Sequence, residues 1–94
     1  MRLEGKIAVI IGAGQSPGEG IGNGRATTLR FAREGAKILA VDRLIGSAAE
    51  TAAMAVREGG ECVPFEADVT REESLAEAIE AAQARWGRID ITIM

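Results

Sequence analysis

Short, nearly continuous apolar runs alternate along the chain with longer stretches in which apolar residues recur every three or four positions. Lys6-Ile7-Ala8-Val9-Ile10-Ile11 is the first run, bounded by glycine on both sides. Such a run is how a strand covered on both faces reads. Ala36-Lys37-Ile38-Leu39-Ala40-Val41 repeats the type, and Glu61-Cys62-Val63-Pro64-Phe65 is a weaker third. Pro64 lacks an N–H, which predicts an edge position for that strand. Ile89-Asp90-Ile91-Thr92-Ile93-Met94 reads as a fourth strand.

Three helices are predicted between these strands. The first spans about 24–34, with Ala26, Leu29 and Ala32/Arg33 on its inward stripe and Gly35 as its stop. The second is expected to begin at Ser47, with Ser47 and Glu50 as a capping box. Ala49, Ala52, Ala53 and Val56 form its face, and Gly59-Gly60 its end. The third opens on a Thr70/Glu73 capping box and carries Leu75, Ala78, Ile79, Ala82 and Trp86 inward before Gly87. Regular strand–helix alternation predicts right-handed crossovers and an α/β fold with a parallel sheet.

Composition narrows the functional classes. Ninety-four residues make one domain at most, and 47% apolar with 27% charged residues is ordinary for a folded chain. A net charge of −3 with no Lys/Arg cluster gives no basic face for nucleic acid. One cysteine and no histidine leave no donor set for a Cys/His zinc site, and Cys62 is expected to be a small buried residue. The charged start at Met1 is unlike a secretory signal, and no apolar run approaches the ~20 residues of a membrane span. The expected location is cytoplasmic, without a membrane partner.

The candidate chemistry lies in the segment from Gly12 to Gly24, where six of thirteen residues are glycine. It follows a buried strand and opens a helix. Such a junction offers unpaired backbone N–H groups and the positive end of a helix dipole to an anion, and glycine lets a phosphate approach the backbone closely. Neither strict Gly-x-Gly-x-x-Gly spacing nor a Gly-Lys-Ser/Thr sequence is present, so a magnesium-dependent ATPase or GTPase is not expected. Asp42 stands at the end of the second strand, twenty residues after Gly22. An acidic side chain there accepts hydrogen bonds from adenosine ribose hydroxyls and repels a 2′-phosphate, which favours NAD over NADP. Arg43, next to it, could instead meet a phosphate. Asp68, before Thr70, suits the start of a helix as well as a ligand contact.

Taken in order, Ile11-Gly12-Ala13-Gly14, Gly20-Ile21-Gly22, Arg25-Ala26-Thr27-Thr28, Phe31-Ala32-Arg33-Glu34-Gly35-Ala36, Asp42-Arg43, Asp68-Val69-Thr70 and Trp86-Gly87-Arg88-Ile89-Asp90 resemble the opening of the short-chain dehydrogenase/reductase family. The resemblance implies a three-layer Rossmann-type sheet of order 3-2-1-4, with residues 1–94 as part of a dinucleotide-binding domain. It implies cofactor contacts at Gly12, Gly20, Ile21, Gly22, Asp42 and Arg43, with Asp68 and Val69 at the adenine. The family turn is Thr-Gly-x-x-x-Gly-x-Gly. Here Ile11 replaces the threonine, and seven rather than three residues separate Gly12 from Gly20. The registers Gly14/Gly18/Gly20 and Gly18/Gly22/Gly24 therefore also fit.

The family's reaction is hydride transfer between a nicotinamide and an alcohol or carbonyl carbon, with a tyrosine, a lysine and a serine serving the substrate. This chain has no tyrosine, and Lys6 and Lys37 lie at strand starts. The expectation is a cofactor-binding part without the catalytic half, inactive alone, with a fourth strand that lacks its following helix and a marginal, self-associating fold. A small-molecule substrate and a homo-oligomeric state are expected only of a longer parent. The alternative is a non-enzymatic dinucleotide-binding or interaction module.

Overall fold

A computed structural model describes residues 2–14, 23–68 and 70–93. Within them the chain runs β1 (Ile7–Ile11), α1 (Asn23–Arg33), β2 (Lys37–Asp42), α2 (Ile45–Arg57), β3 (Glu61–Glu66), α3 (Glu72–Trp86) and β4 (Ile91–Ile93). The four strands form one parallel sheet of order β3-β2-β1-β4. Pro64 lies opposite Ala40 on β3, at an edge of the sheet as its missing N–H required.

Alternate residues of the strands supply two separate cores. Ala8, Ile10, Ile38, Ala40 and Cys62 pack with Leu29 and Ala32 of α1 and Ala52 and Ala55 of α2. Val9, Leu39 and Val41 pack on the other face with Ala78 and Ala82 of α3. Helices thus cover both faces of the sheet, which is why β1 and β2 read as unbroken apolar runs. Small residues line the contacts: a Cβ on Gly60 would stand 2.8 Å from the Ala32 Cβ, so the turn between α2 and β3 approaches α1 closely there. Cys62 is buried, and loss of solvent pushes its thiol up to about 12.

The element types agree with the sequence pattern, while several inward faces do not. On α1 both Ala26 and Arg33 are exposed, and the buried stripe is Arg25, Thr28, Leu29 and Ala32. Two polar residues occupy that stripe because their hydrogen bonds are met inside the protein. On α2 the buried face is Ala48, Thr51, Ala52 and Ala55, so Ala49, Ala53 and Val56 point to solvent. In a run so rich in alanine, a face displaced by one residue is almost equally apolar, and contact with α1 and the sheet selects between them.

Neither capping box forms. Helix α2 starts at Ile45, with Leu44 as its N-cap and no side-chain cap. Ser47 is already inside the helix, and Glu50 pairs instead with Arg25 at 2.8 Å. Helix α3 starts at Glu72 with Arg71 as its N-cap, Glu73 pairs with Arg71, and Thr70 bonds to Asp68. Leu75, Ile79 and Trp86 are only half-buried, while Ala78 and Ala82 are fully enclosed. The Trp86 Nε1–H donates to Glu61 at 2.8 Å, tying the end of α3 to the start of β3.

Candidate functional site

In a parallel sheet every strand ends on the same side, and β1 lies between β2 and β4, where the winding of the sheet reverses. A ligand crevice in such sheets lies outside the strand ends at that reversal. Gly12 follows β1 directly with φ +75°, a backbone that glycine adopts without strain. The N–H groups of Gly12 and Ala13 both donate to the Val41 carbonyl, at 2.8 and 3.0 Å, so the turn hangs on the end of β2.

Two further glycines are required by close approach. A Cβ on Gly24 would fall on the Gly12 carbonyl, 2.6 Å from its carbon and 3.0 Å from the Ala13 Cα. The first turn of α1 therefore rests directly on the chain leaving β1. A Cβ on Gly14 would collide with the Ser47 hydroxyl and stand 2.9 Å from Asp42 Oδ2. With hydrogen there instead, the Gly14 N–H donates to Asp42 Oδ2 at 3.0 Å. The Leu44 N–H donates to the other oxygen, Oδ1, also at 3.0 Å. The half-buried Asp42 carboxylate is thus held between the glycine turn and the entrance to α2.

The backbone carbonyl of Asp42 accepts the Ala67 N–H at 3.1 Å, which brings the end of β3 alongside. Asp68 follows there, its Oδ1 accepting the Thr70 hydroxyl at 2.6 Å and the Thr70 N–H at 3.0 Å. These two bonds, chiefly the hydroxyl, hold the Asp68 carboxyl below its ordinary range, and the nearby charges of Arg43 and Arg71 add to the effect. Asp68 thus closes a local turn with Thr70 and does not cap α3, whose N-cap is Arg71. Arg43 is exposed and faces Asp68 electrostatically.

Gly12, Asp42, Arg43 and Asp68 consequently meet along the edge formed by the C-terminal ends of β1, β2 and β3. Gly20, Ile21, Gly22 and Val69 lie outside the described residues. Sequence reasoning passed over a buried network beneath the turn: Arg25 is 6% exposed, and its Nε donates to Thr51 Oγ1 at 2.9 Å. Thr51 in turn reaches the Ala13 carbonyl at 2.9 Å. The available signal was a charged residue three and four positions before Thr28 and Leu29, a helical spacing that turns Arg25 inward. Gly14 and Gly24 entered only through the alternative registers.

At this edge the N–H groups of Gly12, Ala13 and Gly14 bond within the chain, and the oriented Asp42 carboxylate keeps a lone pair on each oxygen as an acceptor. Lys6 and Lys37 stand at the opposite edge, where Lys37 begins β2. Among the described residues no cluster of acidic, His or Cys side chains could hold a metal ion. No helix among them is long and apolar enough to cross a membrane.

Comparison with known proteins agrees with this architecture. The family model described as short chain dehydrogenase matches residues 6–94. A 3-oxoacyl-[acyl-carrier-protein] reductase of Thermotoga maritima is 37% identical, over 99% of this chain and 35% of that protein. Among solved structures, a hydroxysteroid dehydrogenase from Escherichia coli superposes with a TM-score of 0.89 at 30% identity, over 97% of this chain and 36% of the other. A 7α-hydroxysteroid dehydrogenase complexed with NADH and 7-oxo glycochenodeoxycholic acid gives 0.88 at 30% identity, over 97% and 33%. The chain spans about a third of the length of these relatives. By sequence and by fold, it belongs to the short-chain dehydrogenase family and corresponds to the N-terminal portion of its members.

Proposed function

We propose that this chain is the cofactor-binding part of an NAD(P)-dependent oxidoreductase acting on alcohol or carbonyl carbons, and that it prefers NAD. The single observation that carries the reading is the Asp42 carboxylate, drawn onto the glycine turn by the Gly14 N–H across twenty-eight residues. Each of its oxygens accepts one backbone N–H and keeps a second lone pair, the capacity that a pair of ribose hydroxyls requires. A 2′-phosphate in the same place would meet a full negative charge. Arg43 could offset that charge, but it stands in the field of Asp68.

The glycine-rich passage from buried β1 to α1 supports a pyrophosphate site at this turn, because a phosphate approaches backbone N–H groups and a helix N-terminus closely where no side chain intervenes. Gly12 is the proposed tight turn of the cofactor site, Gly20-Ile21-Gly22 the pyrophosphate-binding stretch, with Asp42 and its neighbour Arg43 at the ribose and Asp68 and Val69 at the adenine. When bound, a nicotinamide dinucleotide supplies the hydride acceptor or donor. The residues of this chain hold and orient it. The sequence has neither tyrosine nor histidine for proton transfer, which supports binding without turnover by these 94 residues.

Titration calorimetry with NAD and with NADP tests the reading. NAD is expected to bind at least about tenfold more tightly, the scale of one charge-assisted interaction. Equal or tighter NADP binding overturns the role given to Asp42, and binding of neither overturns the proposed function.

A further inference from the structure

The peptide unit joining Ala13 to Gly14 is bonded on both sides. Its carbonyl accepts the Thr51 hydroxyl at 2.9 Å, and its N–H donates to Asp42 Oδ2 at 3.0 Å. In a trans peptide these groups point in opposite directions, so one bond cannot rotate away without straining the other. The orientation of Asp42 is therefore coupled to a hydroxyl on the far side of the turn.

That hydroxyl has a single proton and two acceptors in reach, the Ala13 carbonyl at 2.9 Å and the Ser47 carbonyl of its own helix at 3.2 Å. A helical threonine left alone bonds back to the carbonyl four residues earlier. Arg25 changes that competition. Its Nε donates to Thr51 Oγ1 at 2.9 Å, occupying a lone pair, and its Nη2 donates to the Ser47 carbonyl at 3.4 Å. The Nη1 pairs with Glu50 at 2.8 Å, which anchors the guanidinium to the outer face of α2. With Ser47 supplied by Arg25, the Thr51 proton is directed to Ala13. The fork of a guanidinium can serve all three sites at once, and an ammonium cannot.

We infer that Arg25 and Thr51 are positioning residues for cofactor selection: they set the plane of the Ala13–Gly14 peptide and through it aim the Asp42 carboxylate. The inference rests on the proposed dinucleotide site and adds residues that do not themselves touch the ligand. Its consequence is that NAD affinity, and the preference for NAD over NADP, depend on a hydroxyl buried beneath the turn. Thr51 is fully buried, so that dependence does not pass through solvent.

The test compares the chain with Thr51→Val, which keeps the shape and loses the hydroxyl, and Thr51→Ser, which keeps the hydroxyl. Calorimetry with NAD and with NADP is read beside exchange of the Gly14 amide proton by NMR. Thr51→Val is expected to weaken NAD about fivefold to tenfold, the scale of one lost hydrogen bond, and to narrow the NAD/NADP ratio similarly. Gly14 exchange accelerates in that variant, and Thr51→Ser restores all three readings. A folded Thr51→Val chain with unchanged affinity, ratio and exchange overturns the inference, as does Thr51→Ser behaving like Thr51→Val. Should Thr51→Val not fold, Arg25→Lys is read in its place: faster Gly14 exchange and a narrower ratio support the coupling, and unchanged values overturn it. If the unmodified chain binds neither dinucleotide, the proposed function falls, whereas Gly14 exchange still decides whether the clamp exists.

Discussion

Asp42 and Asp90 make the same bond at opposite ends of the sheet, to opposite effect. Asp90 accepts the N–H of Ile7, where β1 begins, at 2.9 Å. Asp42 accepts the N–H of Gly14, just past the end of β1, at 3.0 Å. Around Asp90 the chain completes its own circuit. Arg88 donates to the same carboxylate oxygen at 3.0 Å and to the Gly5 carbonyl at 3.0 Å, and the Asp90 N–H returns to Ile7 at 2.9 Å. Asp42 pairs with no cation among the described residues. One carboxylate is paired with Arg88 and fastens β4 to β1, and the other accepts backbone N–H groups from the glycine turn and the entrance to α2. The difference teaches that the same carboxylate-to-backbone bond can be completed by a cation, as at Asp90, or left with open acceptor positions, as at Asp42.

The largest effect expected from this contrast is at Gly24. Gly24→Ala forces a methyl group onto the Gly12 carbonyl, and backbone cannot yield as a side-chain end does. A loss on the order of 3 kcal/mol is expected, read as a melting temperature lower by more than about 10 °C. A melt unchanged by this substitution breaks the account of the turn.

Next come the two aspartates, exchanged in turn for alanine. Asp42→Ala is expected to weaken NAD about tenfold to a hundredfold, the range for hydrogen bonds to a charged group, and to raise NADP binding relative to NAD. Asp90→Ala should leave both affinities near their original values while lowering the melting temperature. Equal losses of NAD affinity in the two variants would erase the distinction drawn here.

Acid sharpens the same contrast more gently. The Ile7 N–H, and after it Arg88, hold the Asp90 carboxyl below its ordinary value. A carboxyl lowered on folding stabilises the protein fully above its unfolded pKa, near ~4, and loses that contribution as pH falls through the lower folded value. Thermal melts should therefore be level above about pH 5 and fall below it. Asp90→Asn should flatten part of that limb, with Asp68 and Glu34, also lowered, supplying the rest. A limb of undiminished steepness in the variant counts against Asp90 as the fastening group.

The smallest effect is a control for glycine itself. Gly46 lies in the first turn of α2, and an added Cβ would meet nothing within 4 Å. Gly46→Ala is expected to raise stability by less than about 1 kcal/mol through helix propensity, measured by denaturant melts, with NAD affinity unchanged.

Much of the fold was legible because its signals are local. Short apolar runs marked β1 and β2, Pro64 marked an edge, and Gly87 ends α3 with φ +83° as its place after the apolar stripe suggested. The inward faces of α1 and α2 were not legible. Alanine on both sides of α2 weakens the periodic signal, and Arg25 and Thr28 look like solvent residues until their buried partners are known. The capping boxes failed for two reasons: Glu50 pairs with Arg25 of another helix, which spacing along α2 does not reveal, and Glu73 turns to Arg71, the N-cap of its own helix.

By itself the sequence determined the order of elements, the layered parallel sheet, the glycine-rich turn after β1 and the acidic residue closing β2. Each depends on periodicity, backbone freedom or the placement of one residue type, all properties of neighbouring positions. The tertiary structure alone decided that Gly14 meets Asp42, that Gly24 rests on Gly12, and that a buried arginine bonds Thr51, whose hydroxyl bonds the Ala13 carbonyl. Those contacts join residues twelve to thirty-eight positions apart. They exist because the crossovers bring the first turns of α1 and α2 to the same end of β1, a juxtaposition that no local pattern encodes.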